Sequence, residues 1–316
     1  MAYSQVSVSA ITDIPAAVAT FAAANGWTVS GQNYKYGTGV EFTLSATISG
    51  FDHELKWAAT SDVRVTSAAK IRSPKLNGTV ATPTVSIPSS IHLFTGTSPA
   101  PFLAIVVEYG FNSYRHLYLG YVEKQGSFTG GEVIGATAFP ASSSGPSYPM
   151  TYRDDGVQYL FGARSRAFDA ANQGGVLVDH ASNATKWRRF YGPTGINTIT
   201  NFAGTEGLGG FKDDINDGYI ARGRSRYAGI NLLVPMNLYS AQGSGSSVQF
   251  VPIGCPAGIR AVNMNDIDPK SSIMISTDEW MCFPAISKTA DSVSKSASGW
   301  GAGETSAMVG YAYRKN

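Results

Sequence analysis

The sequence has few charged residues. Asp, Glu, Lys and Arg make up 15% of its 316 residues, against roughly 25% in an ordinary soluble domain, so Ser, Thr, Asn and Gly must supply much of the polar surface. The 24 basic and 22 acidic residues nearly cancel, which argues against a nucleic-acid binder held by phosphate neutralisation. Aromatic residues reach 11% and the formal charge is +2, a composition that disordered chains do not have.

Long apolar runs and cysteines are also scarce. No stretch approaches the ~18 apolar residues that indicate a transmembrane helix. Residues 1–27 lack a basic leader ahead of an apolar segment, so we expect neither a secretory signal nor membrane insertion. Two cysteines, Cys255 and Cys282, are too few for a disulfide framework or a zinc site. They can form one bridge, but two small buried thiols are the favoured interpretation.

One helix is predicted near the amino terminus. Thr12 or Asp13 can cap it, and Pro15 lies where a first-turn proline is tolerated. The apolar residues that share one face of this helix are Ile14, Val18 and Phe21. The pair Asn25-Gly26 then ends the helix, because both residues tolerate positive φ.

The rest of the chain predicts strands. Val40–Ile48 has apolar residues at every second position, the period of a half-buried strand. The further strand segments, mostly bounded by turn-forming residues, are His92–Gly96, Phe102–Tyr109, His116–Val122, Tyr159–Ala163, Gly175–Asp179, Ile230–Tyr239, Val248–Ile253, Ile259–Met264, Ser272–Ser276, Trp280–Phe283 and Met308–Tyr313. Ile230–Tyr239 and Val248–Ile253 are predicted to pair across the linker at Gly243–Ser246. We therefore predict a mainly β protein, an antiparallel sandwich or distorted barrel with a short amino-terminal helix.

The chain divides weakly into two regions. Residues 1–140 would hold the helix and a first β region, and residues 141–316 a carboxy-terminal β region, with a single domain as the alternative. Two polar segments, Phe139–Tyr148 and Ser287–Ser306, are predicted loops. Long loops of this kind are often functional, and in an assembly subunit they often lie on a neighbour. Trp300 in the second loop is therefore an interface candidate.

Residues that carry chemistry do not form a recognisable motif. The four histidines lack the i, i+4 spacing of a helical metal pair and have no neighbouring cysteine, and His116 is expected to be a ring in a β ladder. The acidic stretch that begins at Asp213 departs from EF-hand spacing, and no nucleophile or phosphate-binding glycine motif is present. We expect no catalytic, metal-binding or cofactor-binding residue. A glycan-trimming enzyme that uses a carboxylate pair such as Asp154 and Asp213 is a separate hypothesis.

Alternating arginines mark a second candidate interface. Arg222, Arg224 and Arg226 would project from one face of a strand. Two interpretations stay open, namely ion pairing across a subunit interface, where Arg is enriched, and a solvated strand face. The many Tyr and Trp residues also suit protein interfaces or stacking on sugars.

Several segments together resemble structural proteins from the particles of tailed bacteriophages. These segments are the helix end Asn25-Gly26-Trp27, HLYLGYVEKQGSFTGGEVIG at His116–Gly135, three pieces within Leu232–Phe283, and the closing GYAYRKN. The resemblance implies a non-enzymatic virion subunit of the tail, tail tip or baseplate. It would assemble in the host bacterial cytoplasm with other phage structural proteins, as a homo-oligomeric ring.

Three residues of these segments also suit packing roles on physical grounds. Trp280 and Phe283 would anchor a strand near Pro252–Arg260, and Gly310 would let the last strand pack closely. The alternative function for this chain is a host-surface recognition module at the tail end of such a particle. It would bind sugar or pilus through exposed Tyr and Trp.

Overall fold

The structure is a computed structural model. It describes residues 1–49, 52–61, 66–72, 90–110, 112–128, 130–137, 158–160, 162–163, 175–179, 186–191, 208–209, 233–236, 238–242, 249–264, 267–285, 288 and 309–316.

The described residues form short strands and one α-helix. The helix α1 spans Ile14–Ala24 and follows a 3₁₀ turn at Ile11–Asp13. The strands in the first part of the chain are β1 (Ala2–Ser7), β2 (Thr28–Ser30), β3 (Asn33–Lys35), β4 (Phe42–Ser49), β5 (Asp52–Ala59), β6 (Thr66–Arg72), β7 (Ser90–Gly96), β8 (Phe102–Gly110), β9 (Ser113–Lys124) and β10 (Gly130–Ala136). Those that follow are β11 (Gln158–Tyr159), β12 (Gly162–Ala163), β13 (Gly175–Asp179), β14 (Lys186–Tyr191), β15 (Leu208–Gly209), β16 (Leu238–Gln242), β17 (Gln249–Pro256), β18 (Ile259–Asn263), β19 (Ser272–Ile275), β20 (Asp278–Pro284) and β21 (Val309–Arg314).

Three sheets are stacked in layers. A central sheet has ten strands. Eight of them follow the order β1-β7-β8-β9-β10-β13-β14-β15, and the other two branch from β9, with β17 paired to β9 and β16 paired to β17. A helix-side sheet, β2-β3-β4-β5-β6, packs with α1 on one face of the central sheet, and an outer sheet, β18-β21-β20-β19, packs on the other. The fold is mainly β and antiparallel, sandwich-like rather than a closed barrel, which confirms the predicted fold class.

Strand β8 shows how the sequence produces these layers. Successive side chains of a strand point to opposite faces of its sheet. The residues of β8 that face the helix side are Leu103, Ile105 and Val107. Those that face the outer sheet are Phe102, Ala104 and Val106. Because β8 is covered on both faces, residues 102–107 are all apolar. Each fully buried large side chain contributes about 1.5–3 kcal/mol.

The predicted helix is confirmed, with one difference on its buried face. Ile14, Val18 and Ala22 are completely buried, whereas Phe21 is half-buried. The predicted cap also differs, because the Asp13 carboxylate accepts from the backbone N–H of Ala10 at 2.9 Å instead of capping α1.

The helix ends as its sequence predicts. Gly26 adopts φ +89°, a left-handed conformation that glycine reaches without a steric penalty. The backbone N–H groups of Asn25 and Trp27 both donate to the carbonyl of Ala22, at 3.0 and 3.1 Å. This Schellman-type ending satisfies a terminal carbonyl and turns the chain directly into β2.

Most predicted strands are present with shifted ends. The predicted pairing across Gly243–Ser246 is found between β16 and β17. The predicted strand Ile230–Tyr239 is not continuous, because within its described residues Val234 forms an isolated bridge to Ala261 and β16 begins at Leu238. The sequence analysis assigned no strand to β1, β2, β3, β5, β6, β10, β14 or β15.

The central sheet contains strands from both sides of residue 140. β9 pairs with β17, and β10 pairs with β13. The division into 1–140 and 141–316 stays a prediction beside the single-domain alternative. The predicted loop Phe139–Tyr148 lies outside the described residues, as does Ser287–Ser306 apart from Lys288.

The packing role of Gly310 is confirmed. In β21, an added Cβ at this position would collide with the side chain of Met264 and would lie 2.5 Å from the backbone oxygen of Phe283. The absence of a side chain therefore lets β21 lie close to its neighbours. Phe283 is fully buried between the central and outer sheets, and Trp280 packs under the guanidinium of Arg260 at 5.2 Å.

Candidate functional site

Two buried histidines lie on the face of the central sheet that meets the outer sheet. His92 is in β7 and His116 in β9, and strand alternation puts Leu93 and Leu117 on the opposite face. Both imidazoles contact the ring of Phe283 in β20. The layer between these two sheets therefore holds the titratable groups that most resemble a functional site.

The His116 ring is held on both sides. Its Nε2 atom lies 2.8 Å from the carbonyl oxygen of Pro284, and its Nδ1 atom lies 2.8 Å from the hydroxyl of Tyr313. A carbonyl can only accept, so Nε2 carries the hydrogen and Nδ1 accepts from the Tyr313 hydroxyl. Burial lowers the pKa of His116 to about 3. The ring is thus a neutral, fully bonded connector, and its place within β9 confirms the prediction of a ring in a β ladder.

The His92 ring makes a looser set of contacts. The Tyr3 hydroxyl lies 3.0 Å from Nδ1, and Nε2 lies 3.5 Å from a carboxylate oxygen of Glu108. The carboxylate favours a hydrogen at Nε2, so the Tyr3 hydroxyl donates to Nδ1. Burial lowers the pKa of His92, and the nearby Glu108 carboxylate reverses only part of that effect.

Glu108 connects this cluster to the outer sheet. Its carboxylate accepts from the Lys270 ammonium at 3.1 Å and from the Ser90 hydroxyl at 3.1 Å. Burial would raise the pKa of Glu108, but the hydrogen bonds and positive charge supplied by its partners hold it below the ordinary value. Lys270 lies two residues before β19, so the ion pair ties β8 to the edge of the outer sheet.

The order hydroxyl, imidazole, carboxylate in Tyr3, His92 and Glu108 resembles that of a catalytic triad. The geometry does not support that chemistry. The 3.5 Å separation of His92 from Glu108 is too long for a well-formed hydrogen bond, and burial, followed by the charges of Glu108 and Glu279, raises the pKa of the Tyr3 hydroxyl. These contacts indicate that the cluster fastens β1, β7 and β8 to the outer sheet. They do not indicate activation of a nucleophile.

Two buried charged residues escaped the sequence analysis. Arg115 is fully buried, donates to the carbonyl of Tyr114 at 2.8 Å, and stacks over the ring of Tyr109 at 4.6 Å. Glu132 in β10 accepts from the backbone N–H of Val40 at 3.1 Å. The sequence analysis singled out neither residue, because charged side chains are rarely fully buried.

Metal and thiol chemistry receive no support in the described part of the chain. Its His, Cys, Asp and Glu residues form no group of three or more that could hold a metal ion. Cys255 and Cys282 are buried and unpaired, which confirms the favoured interpretation of two separate thiols. Burial raises the pKa of Cys255 to about 11 and that of Cys282 to about 12, so neither is a reactive thiolate at neutral pH.

The edge strand β19 exposes two neighbouring apolar side chains. Met274 is 60% exposed and Ile275 is 46% exposed, and β19 pairs with β20 on one side. Within the described ranges, no strand pairs with its other edge. The sequence of β19, Ser272–Ile275, contains no charge, proline or glycine.

The aromatic residues lie inward. Among the residues whose burial the structure describes, no Phe, Tyr or Trp is exposed, and the exposed large apolar residues are Met1, Ile48, Met274 and Ile275. The predicted sugar platform of exposed Tyr and Trp is therefore not found in this part of the chain.

The other predicted site residues lie outside the described residues. This applies to the interface candidates Arg222, Arg224, Arg226 and Trp300, and to the carboxylates Asp154 and Asp213. The interface and glycan-cleavage hypotheses for them stay predictions.

Comparison with protein-family models and with curated proteins finds no match. Within the described residues, no helix has the length and apolar character needed to cross a membrane.

Proposed function

We propose that this chain is a structural subunit of a tailed-phage particle, located in the tail, tail tip or baseplate. It would act by multi-copy assembly through protein–protein interfaces, together with other phage structural proteins. The segments that resemble such proteins support the proposal, because Gly310 and Phe283 within them are packing residues of the outer sheet.

The buried polar groups support the same function. His116 is hydrogen-bonded to Tyr313 and Pro284 of the outer sheet, whereas His92 reaches that sheet through its ring contact with Phe283. A particle subunit needs a rigid frame on which to present interfaces, and a fully bonded polar group between layers, such as the His116 ring, supplies rigidity.

The observation that carries the proposal is the exposed edge of β19. Soluble proteins protect their sheet edges with charges, proline or bulges, because unpaired backbone groups recruit other strands. Between Ser272 and Ile275, β19 carries neither a charge nor a proline, and it exposes Met274 and Ile275. A subunit whose edge is covered by a neighbour in the particle does not need them.

The compartment is also part of the proposal. Assembly would take place in the cytoplasm of the host bacterium, which is reducing, and the unpaired Cys255 and Cys282 fit that environment. The finished location would be the virion. Arg222, Arg224, Arg226 and Trp300 remain proposed interface residues.

The test is the composition of the particle. Purified particles of the phage that encodes this chain are analysed by quantitative mass spectrometry, and a reconstruction locates the subunit. We expect several copies per particle at a fixed ratio to the other tail proteins. Absence of the chain from intact particles would overturn the proposal.

A second experiment distinguishes the structural function from host recognition. Isolated protein is tested for adsorption to host cells and for binding to a glycan array. A pure structural subunit binds neither, whereas saturable, host-specific binding would favour the recognition module.

A further inference from the structure

The Glu108 carboxylate is shared by two nitrogen groups of very different exposure. Its Oε1 atom accepts from the Lys270 ammonium at 3.1 Å, and its Oε2 atom lies 3.5 Å from Nε2 of His92. The side chain of Lys270 is 42% exposed, whereas that of Glu108 is 13% exposed and that of His92 is 1% exposed. Water can therefore replace Glu108 as the partner of Lys270 at little cost, but it cannot reach His92 in the same way.

The backbone at Lys270 indicates a specific role for its side chain. Lys270 adopts φ +69°, a left-handed conformation that costs energy for a residue with a Cβ atom. Glycine would avoid this cost, but it could not donate a hydrogen bond to Glu108. The ion pair is thus a contribution that only a basic side chain can make at this position.

A proton can enter this cluster at one atom of the His92 ring. In the neutral ring, Nε2 carries the hydrogen and Nδ1 accepts from the Tyr3 hydroxyl at 3.0 Å. A proton taken from solvent must therefore bind Nδ1, and the one covalent bond made is N–H. The Nδ1–H group then donates to the Tyr3 oxygen, and the hydrogen of Tyr3 rotates to another acceptor. The contact between β1 and β7 is kept with its direction reversed.

The other titratable or charged groups around the ring come from three strands. They are Tyr114 and His116 in β9, Glu279 in β20, and Tyr313 and Lys315 in β21. Burial raises the pKa of these tyrosines and of Tyr3, and it lowers the pKa of His116 to about 3. Hydrogen bonds, chiefly from Lys315, lower the pKa of Glu279. In mild acid, His92 is therefore the group among these described residues whose charge changes.

Protonation of His92 places two cations against the Glu108 carboxylate. A charged imidazole forms a shorter and stronger hydrogen bond than a neutral one. Among the described residues, the buried ring has no second carboxylate within ion-pair distance. The two cations also repel each other. Since the half-exposed ammonium is the partner that solvent can receive, Lys270 leaves and His92 takes its place.

We propose that His92, Glu108 and Lys270 form an acid-sensitive latch between the central and outer sheets, in which a proton on His92 changes the partner of Glu108 and releases Lys270. The latch opens only the link between the sheets. The backbone N–H of Lys270 donates to the carbonyl of Cys282 at 2.8 Å, so the released residue stays attached to β20. Burial lowers the pKa of His92, and the latch is therefore closed at neutral pH.

The first measurement follows the proton. Protein labelled with ¹⁵N-histidine is titrated by NMR, and the signals of His92 are identified by their loss in His92→Gln. We expect a hydrogen on Nε2 alone at neutral pH, and on both ring nitrogens of the folded protein at a midpoint below the ordinary histidine value. A His92 ring that stays neutral until the protein unfolds in acid overturns the proposal.

The second measurement follows the ion pair. A double-mutant cycle of Glu108→Gln and Lys270→Met, measured by urea denaturation, gives the interaction between the two side chains. At neutral pH we expect this interaction to change the unfolding equilibrium constant about two- to five-fold. At about one pH unit below the midpoint of His92 it should disappear, because Lys270 has been released.

Two backgrounds show whether His92 causes the loss. His92→Gln cannot take up a proton, so in this background the interaction should persist at the lower pH. His53→Gln is the matched control, since His53 lies in β5 of the helix-side sheet, and it should behave as the parent. An interaction that does not vary with pH in the parent, or that is lost equally in His92→Gln, overturns the proposal. Neither result affects the particle-composition test.

Discussion

The hydroxyl of Tyr313 lies 2.8 Å from Nδ1 of His116, although 197 positions separate the two residues in the chain. This bond, with the one from Nε2 to Pro284, attaches the outer sheet to β9 of the central sheet. Both ring nitrogens of His116 are occupied by these hydrogen bonds, so the ring has no free nitrogen with which to exchange a proton with a substrate. Its contribution to the protein is to hold the two sheets in register.

Replacement of this ring should destabilise the fold. His116→Phe keeps the approximate volume but leaves the Tyr313 hydroxyl and the Pro284 carbonyl without their buried partner. We expect a loss of about 2–5 kcal/mol in the free energy of unfolding, measured by urea denaturation. Tyr313→Phe removes one of the two bonds and should cost less. A value for His116→Phe within about 0.5 kcal/mol of the parent would contradict the assigned bonding.

Stability should fall in mild acid. The pKa of His116 is about 3 in the folded protein, against 6.5 when unfolded, so the unfolded chain binds more protons between these values. The contribution is complete above pH 6.5 and is lost as pH falls toward 3, by about 2 kcal/mol at pH 5. The pKa of His92 is also lowered by burial and acts in the same direction.

Two measurements check the acid effect. Urea denaturation at pH 7.5, 6 and 5 gives the slope, and His116→Phe should have a flatter one. The imidazole proton signals of His116 in the parent should stay those of a neutral ring at pH 5. Titration of that ring near pH 6.5 in folded protein would refute the prediction.

Gly310→Ala should be strongly destabilising. The new methyl group would collide with Met264 and with the backbone oxygen of Phe283, and backbone cannot move aside cheaply. We expect a loss of about 1–3 kcal/mol by chemical denaturation. Gly110→Ala is the matched control, because its added Cβ would be 3.7 Å from the nearest atom, an ordinary contact. Equal losses of stability from the two substitutions would show that the close approach of β21 to its neighbours does not require glycine at position 310.

The two cysteines should be unreactive in the folded protein. Burial raises the pKa of Cys255 to about 11 and of Cys282 to about 12, and the thiolate is the reacting form. Labelling with a chromogenic disulfide reagent at pH 8 should be slow until denaturant is added. Two thiols should then react per chain without prior reduction. Fewer than two would indicate a covalent bridge.

Local sequence patterns predicted the layers better than the contacts. The predicted strand Val40–Ile48 overlaps β4, because its alternation reports directly on which face each side chain occupies. β5 was missed although Leu55, Trp57 and Ala59 alternate in the same way. Its intervening charged residues hid the strand, since they gave the segment the polar look of a loop.

The candidate site shows the limit of such reasoning. The buried ring of His116 was predicted from its apolar neighbours, but its partners come from a strand near the other end of the chain. Phe21 was assigned to the buried helix face and is half-buried, because packing against the central sheet rotates that face toward Ala22. Contacts made over long sequence distances depend on how the layers meet, which local periodicity does not encode.

The position of β21 within the outer sheet has a consequence for biosynthesis. β21 is flanked by β18 and β20, each of which was made earlier on the ribosome. Until residues 309–314 emerge, the nascent polypeptide carries two strands with their facing backbone groups unsatisfied. A stop codon or a protease cut ahead of Val309 would leave that gap permanently open, and the shortened product would be prone to aggregation and degradation.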